Sequence, residues 1–114
     1  MLPKKELQDL ANALKATQEF NEMVNQRRLI MKNPRLGRVM INFEREHARI
    51  MHHDFPEDQV SSHLKKLFND NKAFLEAGEV KAYMKATQGY HSMVTQCVDY
   101  LNGLLDVNQT IKTY

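Results

Sequence analysis

The side chains best suited to chemistry in this 114-residue sequence are five His, a single Cys and a run of Arg around one Asn-Pro dipeptide. Glu44-x-x-His47 has the i, i+3 spacing of di-iron carboxylate bundles, where two such pairs and two further Glu converge in one core. The sequence carries a weak internal echo at an offset of 44 residues, and there the counterpart of Glu44 is Gln88, so a second pair is missing. His52-His53 projects in two directions and does not chelate as an i, i+4 pair would. No metal and no other cofactor is expected. Cys97 is the only thiol, which excludes an intramolecular disulfide and any cluster held by this chain's thiolates alone. It falls on an apolar helical seam with no base beside it in sequence, the setting of a buried Cys that acts as a small hydrophobe. Nucleophile-elbow, P-loop and dinucleotide fingerprints are absent, so no catalytic residue is assigned and the chain reads as not an enzyme.

Two further features bear on function. His47 and His91 occupy equivalent echo positions at the edges of apolar faces, where each ring tip is expected to be hydrogen-bonded. If their helices run parallel at similar height, the pair makes stability pH-dependent at about pH 6, because two close imidazoles do not both charge cheaply. The second feature is the charge distribution. Residues 1–26 hold three basic and four acidic groups, residues 27–53 seven and two, and residues 54–114 six and eight, so a net +2 conceals a central +5 block. Arg27, Arg28, Lys32, Arg35 and Arg38 bracket Asn33-Pro34 and form a candidate partner-binding basic tip, with Arg45 and Arg49 behind it. Arg suits bidentate pairing with carboxylates or phosphates. An acidic protein surface, a second copy of the chain or a solvated tip all fit this block. Nucleic acid is disfavoured as a partner, because the aromatics that RNA modules interleave with their basic residues are missing from it.

The elements that position these residues are all helical. Four Gly and no Asn-Gly or Asp-Gly hairpin signal argue against a sheet. Leu7, Leu10, Ala11 and Leu14 recur at three and four and mark a short helix that starts near Pro3. Thr17 is placed to cap a second helix carrying Phe20, Met23, Val24, Ile30 and Met31. Asn33-Pro34 ends it and opens a third over about 34–53, since Asn caps well and Pro suits a first turn. The acids around Pro56 suit the positive end of a fourth helix, over about 57–76. Ala77-Gly78 leads into a fifth of about 79–106, whose apolar stripe is wider than a coiled-coil seam.

The predicted fold is therefore all-α, a single domain over 1–114. It is an elongated bundle of about five helices: a short helix (1–16), two antiparallel hairpins (17–53 and 57–106) and a tail (107–114). About 28 residues of helix span about 42 Å, against roughly 35 Å for a compact sphere of this mass, which is why the bundle is expected to be elongated. Met93, Tyr100 and Val107 widen the apolar arc of the last helix beyond what one partner helix covers, and so are candidates for self-association as a dimer. Seven Met and no Trp suit adaptable apolar contacts. No apolar run approaches a membrane span and no signal-peptide core is present, which leads to a cytoplasmic expectation.

Leu7-x-x-Leu10-Ala11-x-x-Leu14-Lys15-x-Thr17-x-Glu19-Phe20 resembles the opening of the YlbF/YmcA family of bacterial proteins, the control-of-competence regulators. So do Asn33-Pro34 followed by Met40-Ile41-x-Phe43, and Val80-x-x-Tyr83-Met84-x-Ala86-x-x-x-Tyr90 ahead of a long amphipathic helix. The resemblance covers residues 5–107 and implies an all-helical, cytosolic, non-enzymatic protein that self-associates. Better-known members are accessory factors of a complex that influences competence, sporulation and biofilm formation and assists an endoribonuclease in messenger RNA maturation. A larger protein partner of such an RNA-processing complex is thereby implied. Some members hold an iron–sulfur cluster through a Cys-bearing tail; residues 106–114 here carry no Cys, so that property does not transfer.

Overall fold

A computed structural model of the chain describes residues 1–52 and 55–107. Among these the regular structure is helical throughout: α1 (Lys4–Lys15), α2 (Gln18–Met31), α3 (Pro34–Met51), a 3-10 turn (Glu57–Gln59), α4 (Val60–Asp70), α5 (Lys72–Glu76) and α6 (Gly78–Leu104). No helix among the described residues is long and apolar enough to cross a membrane. His53 and Asp54, expected at the end of the third helix and in the following break, lie outside the described residues, as do 108–114 of the expected tail.

The corners form for the reasons their residues suggest. Thr17 Oγ1 accepts from the Phe20 N–H at 3.2 Å and donates to the Leu14 carbonyl at 2.6 Å, so one hydroxyl closes α1 and opens α2. Asn33 Oδ1 accepts from the N–H groups of Arg35 at 3.1 Å and Leu36 at 3.2 Å, with Pro34 as the first helical residue. Two of the donors that a helix start leaves unsatisfied are thus met.

The expected single helix over 57–76 is instead three pieces. Asn71 interrupts it: its Nδ2 donates to the Leu67 carbonyl at 2.8 Å, and its backbone N–H reaches both Leu67 O at 3.2 Å and Phe68 O at 3.3 Å. An Asn side chain competing for a helix carbonyl offers the chain a local alternative to the regular ladder. Ala77 is extended, with ψ of 139°, and ends α5 before α6 starts at Gly78.

The chain divides into two compact units, Val24–Met84 on one hand and Met1–Met23 with Lys85–Tyr114 on the other. Every buried residue among those described belongs to the Val24–Met84 unit: Ile30, Gly37, Met40, Ile50, Leu67, Phe74 and Val80. Ile30, Met40, Phe74 and Val80 form its core, against which Leu36, Val39, Phe43, Leu75 and Tyr83 pack. Phe43 is the hub, with ring centroids 5.8 Å from Phe68 and 5.9 Å from Phe74. A Cβ at Gly37 would lie 3.5 Å from the Met31 sulfur, in ordinary contact, so Met31 packs close over this buried glycine.

The terminal unit contrasts sharply. It holds α1, the start of α2 and α6 from Lys85 onward, and none of its described residues is buried. Phe20 and Tyr90 meet edge to face at 5.6 Å, the one aromatic pair among the described residues that joins its different helices. The Thr87 hydroxyl is enclosed without a hydrogen-bond partner. Leu7, Leu10, Val98, Leu101, Leu104, Leu105 and Val107 are all substantially exposed.

Candidate functional site

The structure separates the five cations of the predicted basic tip into two groups. Arg27 is committed inside its own unit. Its Nη1 and Nη2 donate to the two carboxylate oxygens of Glu44 on α3 at 2.6 and 3.0 Å, a bidentate pair, and Nη1 lies 4.0 Å from the Met40 sulfur. The hydrogen bond to Glu44 holds the Arg27 pKa above its ordinary, already high value; partial burial works in the other direction, and Tyr83 adds to the rise. Arg27 thus belongs to the clamp between α2 and α3 rather than to a free surface. Glu44 had been a conceivable metal ligand with His47, but its two oxygens face Arg27, while His47 lies over the Phe43 ring at 6.2 Å. Among the described residues no three His, Cys, Asp or Glu side chains come together as a metal site.

Arg28, Lys32, Arg35 and Arg38 remain exposed, and among the described residues no carboxylate lies within ion-pair distance of any of them. Arg28 donates to Asn25 Oδ1 at 3.2 Å, and Arg38 Nε donates to the Pro34 carbonyl at 3.3 Å. Farther along α3, Arg49 pairs with Glu46 at 3.3 Å and lies over the Phe55 ring, 5.5 Å from its centroid. Phe55 in turn stacks on His63 at 3.7 Å. These residues border a hollow of about 330 Å³ between α3 and α4, where cations and carboxylates alternate.

A groove of about 320 Å³ adjoins the tip. Leu36, Val39, Phe74 and Ala77 provide its apolar lining, with Arg35, Asp70 and Asn71 at its edges.

The terminal unit carries a larger apolar groove of about 570 Å³, lined by Leu10 and Leu14 of α1 and by Met93, Val94, Gln96, Cys97, Val98, Tyr100, Leu101 and Leu104 of α6. Two of the three predicted self-association residues, Met93 and Tyr100, line it; Val107 is exposed beyond the end of α6. Cys97, expected to be a buried seam residue, is exposed and lines this groove, because among the described residues α1 leaves that stretch of the seam open. Sequence periodicity located the seam, but it did not single out Leu10, Leu14, Leu101 and Leu104 as open. The signal available was an apolar arc with too few apolar partners on a 12-residue α1.

The two histidines fall in different units, His47 on Phe43 and His91 beside Tyr90 at 5.9 Å. The expected ring-tip hydrogen bonds are replaced by ring contacts: among the described residues neither imidazole bonds to a protein group. No family model matches the chain, and no curated protein or solved structure matches it either.

Proposed function

We propose that this chain is a non-enzymatic regulatory or scaffolding protein that acts by protein–protein interaction. It self-associates as a dimer through the apolar groove of its terminal unit and presents the basic corner between α2 and α3 to a larger partner. The observation carrying this reading is that none of the terminal unit's described residues is buried while its leucines line an open groove. Contiguous exposed apolar surface of this kind marks an interface rather than a finished surface. Charge points the same way: the terminal unit holds five basic and six acidic residues, the Val24–Met84 unit eleven and eight. Two nearly neutral terminal units repel one another little, whereas the +3 unit favours a partner of opposite sign. The resemblance to the YlbF/YmcA family adds a cytoplasmic setting and a role like that of the accessory factors of competence, sporulation and biofilm control and of endoribonuclease-dependent messenger RNA maturation.

Light scattering across micromolar concentrations tests the dimer, and a mass that stays monomeric overturns it. Affinity capture from native cell extract, with Arg35→Glu/Arg38→Glu as the control bait, tests the second surface. The four unpaired cations also favour a second reading, a nucleic-acid-binding helical module. A salt titration separates the two, since binding to a phosphate backbone weakens steeply with salt and an apolar helical interface does not.

A further inference from the structure

The basic corner and the groove beside it belong to one surface. We infer that the corner formed by the start of α3 and the groove against α5 binds an acidic amphipathic segment of a partner protein, seating an apolar side chain on Leu36 and Val39 and pairing carboxylates with Arg35 and Arg38. This rests on the reading of the chain as an interaction protein and names the chemistry of what its second surface takes.

Cations at the start of α3 work against the helix dipole. Arg35 and Arg38 lie in the first turns of α3, where backbone N–H groups already make the helix end positive, and that first turn holds no acidic residue. Arg28, in the last turn of α2, and Lys32, just after it, add like charge directly before the corner, while Arg27 is neutralised by Glu44. A carboxylate arriving from outside meets the guanidinium groups of Arg35 and Arg38, each able to hold it bidentately.

The groove decides between kinds of anion. At about 320 Å³ it sits at the small end of ligand pockets, enough for a side chain or two rather than a cofactor. Leu36 and Val39 are only half buried, so they retain surface that an apolar side chain covers. Asp70 on the groove's edge works against a phosphodiester chain but accepts a donor from a peptide of mixed polarity. Phe74 is 8% exposed and so gives a nucleobase no ring to stack on. An acidic protein segment satisfies the apolar floor, the Arg pair and Asp70, whereas RNA satisfies the Arg pair alone.

The experiment is a random peptide-display selection on the full chain, with a fluorescent oligouridylate as the nucleic-acid probe. Enriched peptides are expected to be acidic with apolar residues at helical spacing, and binding of the best is expected to fall about tenfold or more in Arg35→Glu/Arg38→Glu. Ala73→Glu, at an exposed α5 position lining the groove, is expected to do the same with unchanged circular dichroism. Enrichment of neutral or basic peptides, indifference to Ala73→Glu, no enrichment at all, or tighter binding of the oligouridylate than of any peptide each overturns the inference. Light scattering on the same samples keeps the two readings apart. A dimer without acidic-peptide binding removes only this inference, and a monomer without it removes both.

Discussion

Leu101→Asp/Leu104→Asp addresses the groove of the terminal unit directly. In the single chain these leucines are 45% and 64% exposed, so about half of each side chain is left for a partner to cover. Full burial of a leucine is worth about 1.5–3 kcal/mol, so covering the remainder recovers about 1 kcal/mol per residue. A two-fold interface counts every residue twice, which gives about 4 kcal/mol per dimer for the pair. The dimer dissociation constant is then expected to rise roughly a thousandfold, before any cost of burying the new carboxylates is added. Sedimentation equilibrium over a micromolar to sub-millimolar series measures this. Thiol labelling of Cys97, which lines the same groove, supplies an independent readout. In the unaltered chain its rate should fall as concentration rises through the dissociation constant; in the double variant it should not. The part of each side chain already covered in the single chain should cost that chain about 1 kcal/mol per residue as well, so melting at low concentration measures the loss that is not dimerisation. A wild-type mass of one 13.3 kDa chain at every concentration, or a variant that associates as well as wild type, refutes the reasoning.

Three further outcomes follow from the Val24–Met84 unit. Ile30→Ala removes the most enclosed side chain, at 0% exposure, and should destabilise by about 2–5 kcal/mol in urea unfolding. Asn33→Ala strands the N–H groups of Arg35 and Leu36 and should cost about 1 kcal/mol, whereas Asn33→Asp, which keeps an acceptor at the positive helix end, should be neutral or stabilising by the same measurement. A double-mutant cycle of Arg27→Gln with Glu44→Gln should show coupling of about 1 kcal/mol, the upper end for a pair with side chains 39% and 41% exposed and bidentate geometry. Glu44 raises the Arg27 pKa, so the Arg side of that coupling is complete below the unfolded-state value and is lost only as pH rises through the still higher folded value. Both lie above the range where proteins are handled, so the coupling should stay level from neutral to moderately alkaline pH, and a decline across that interval would contradict the assignment.

How far the fold was legible varies with the range of the interaction. Thr17 and Asn33-Pro34 act on their own neighbours within three residues, and the structure uses both as their chemistry suggests. Asn71 also acts locally, yet an Asn inside an apolar helical pattern is only mildly unfavourable, and the periodicity of Leu64, Leu67, Phe68, Phe74 and Leu75 continues through it. The Arg27–Glu44 clamp joins residues 17 apart and needs the register of two facing helices, which composition and spacing do not supply. The groove was half legible: an over-wide apolar arc announces that something must cover it, but whether α1 suffices depends on how the leucines pack, and Leu7 and Leu10 remain 49% and 44% exposed.

Gly89 in the interior of α6 and Gly103 at its end give that helix a property of its own. A Cβ at Gly89 or Gly103 would meet nothing within 4 Å, so neither is kept for want of room; Gly89 costs the helix about 1 kcal/mol relative to Ala, and Gly103 weakens its last turn. Gly103 stands directly before Leu104 and Leu105, so the turn bearing those leucines is held by weak helical propensity and, in the lone chain, by little packing. Winding of that turn and arrival of a partner are then one thermodynamic event: the helix end trades backbone entropy for contact only when something is there to touch. Helicity should accordingly rise with protein concentration. Gly103→Ala should tighten association without adding a single contact, by removing freedom that the separated chain would otherwise keep.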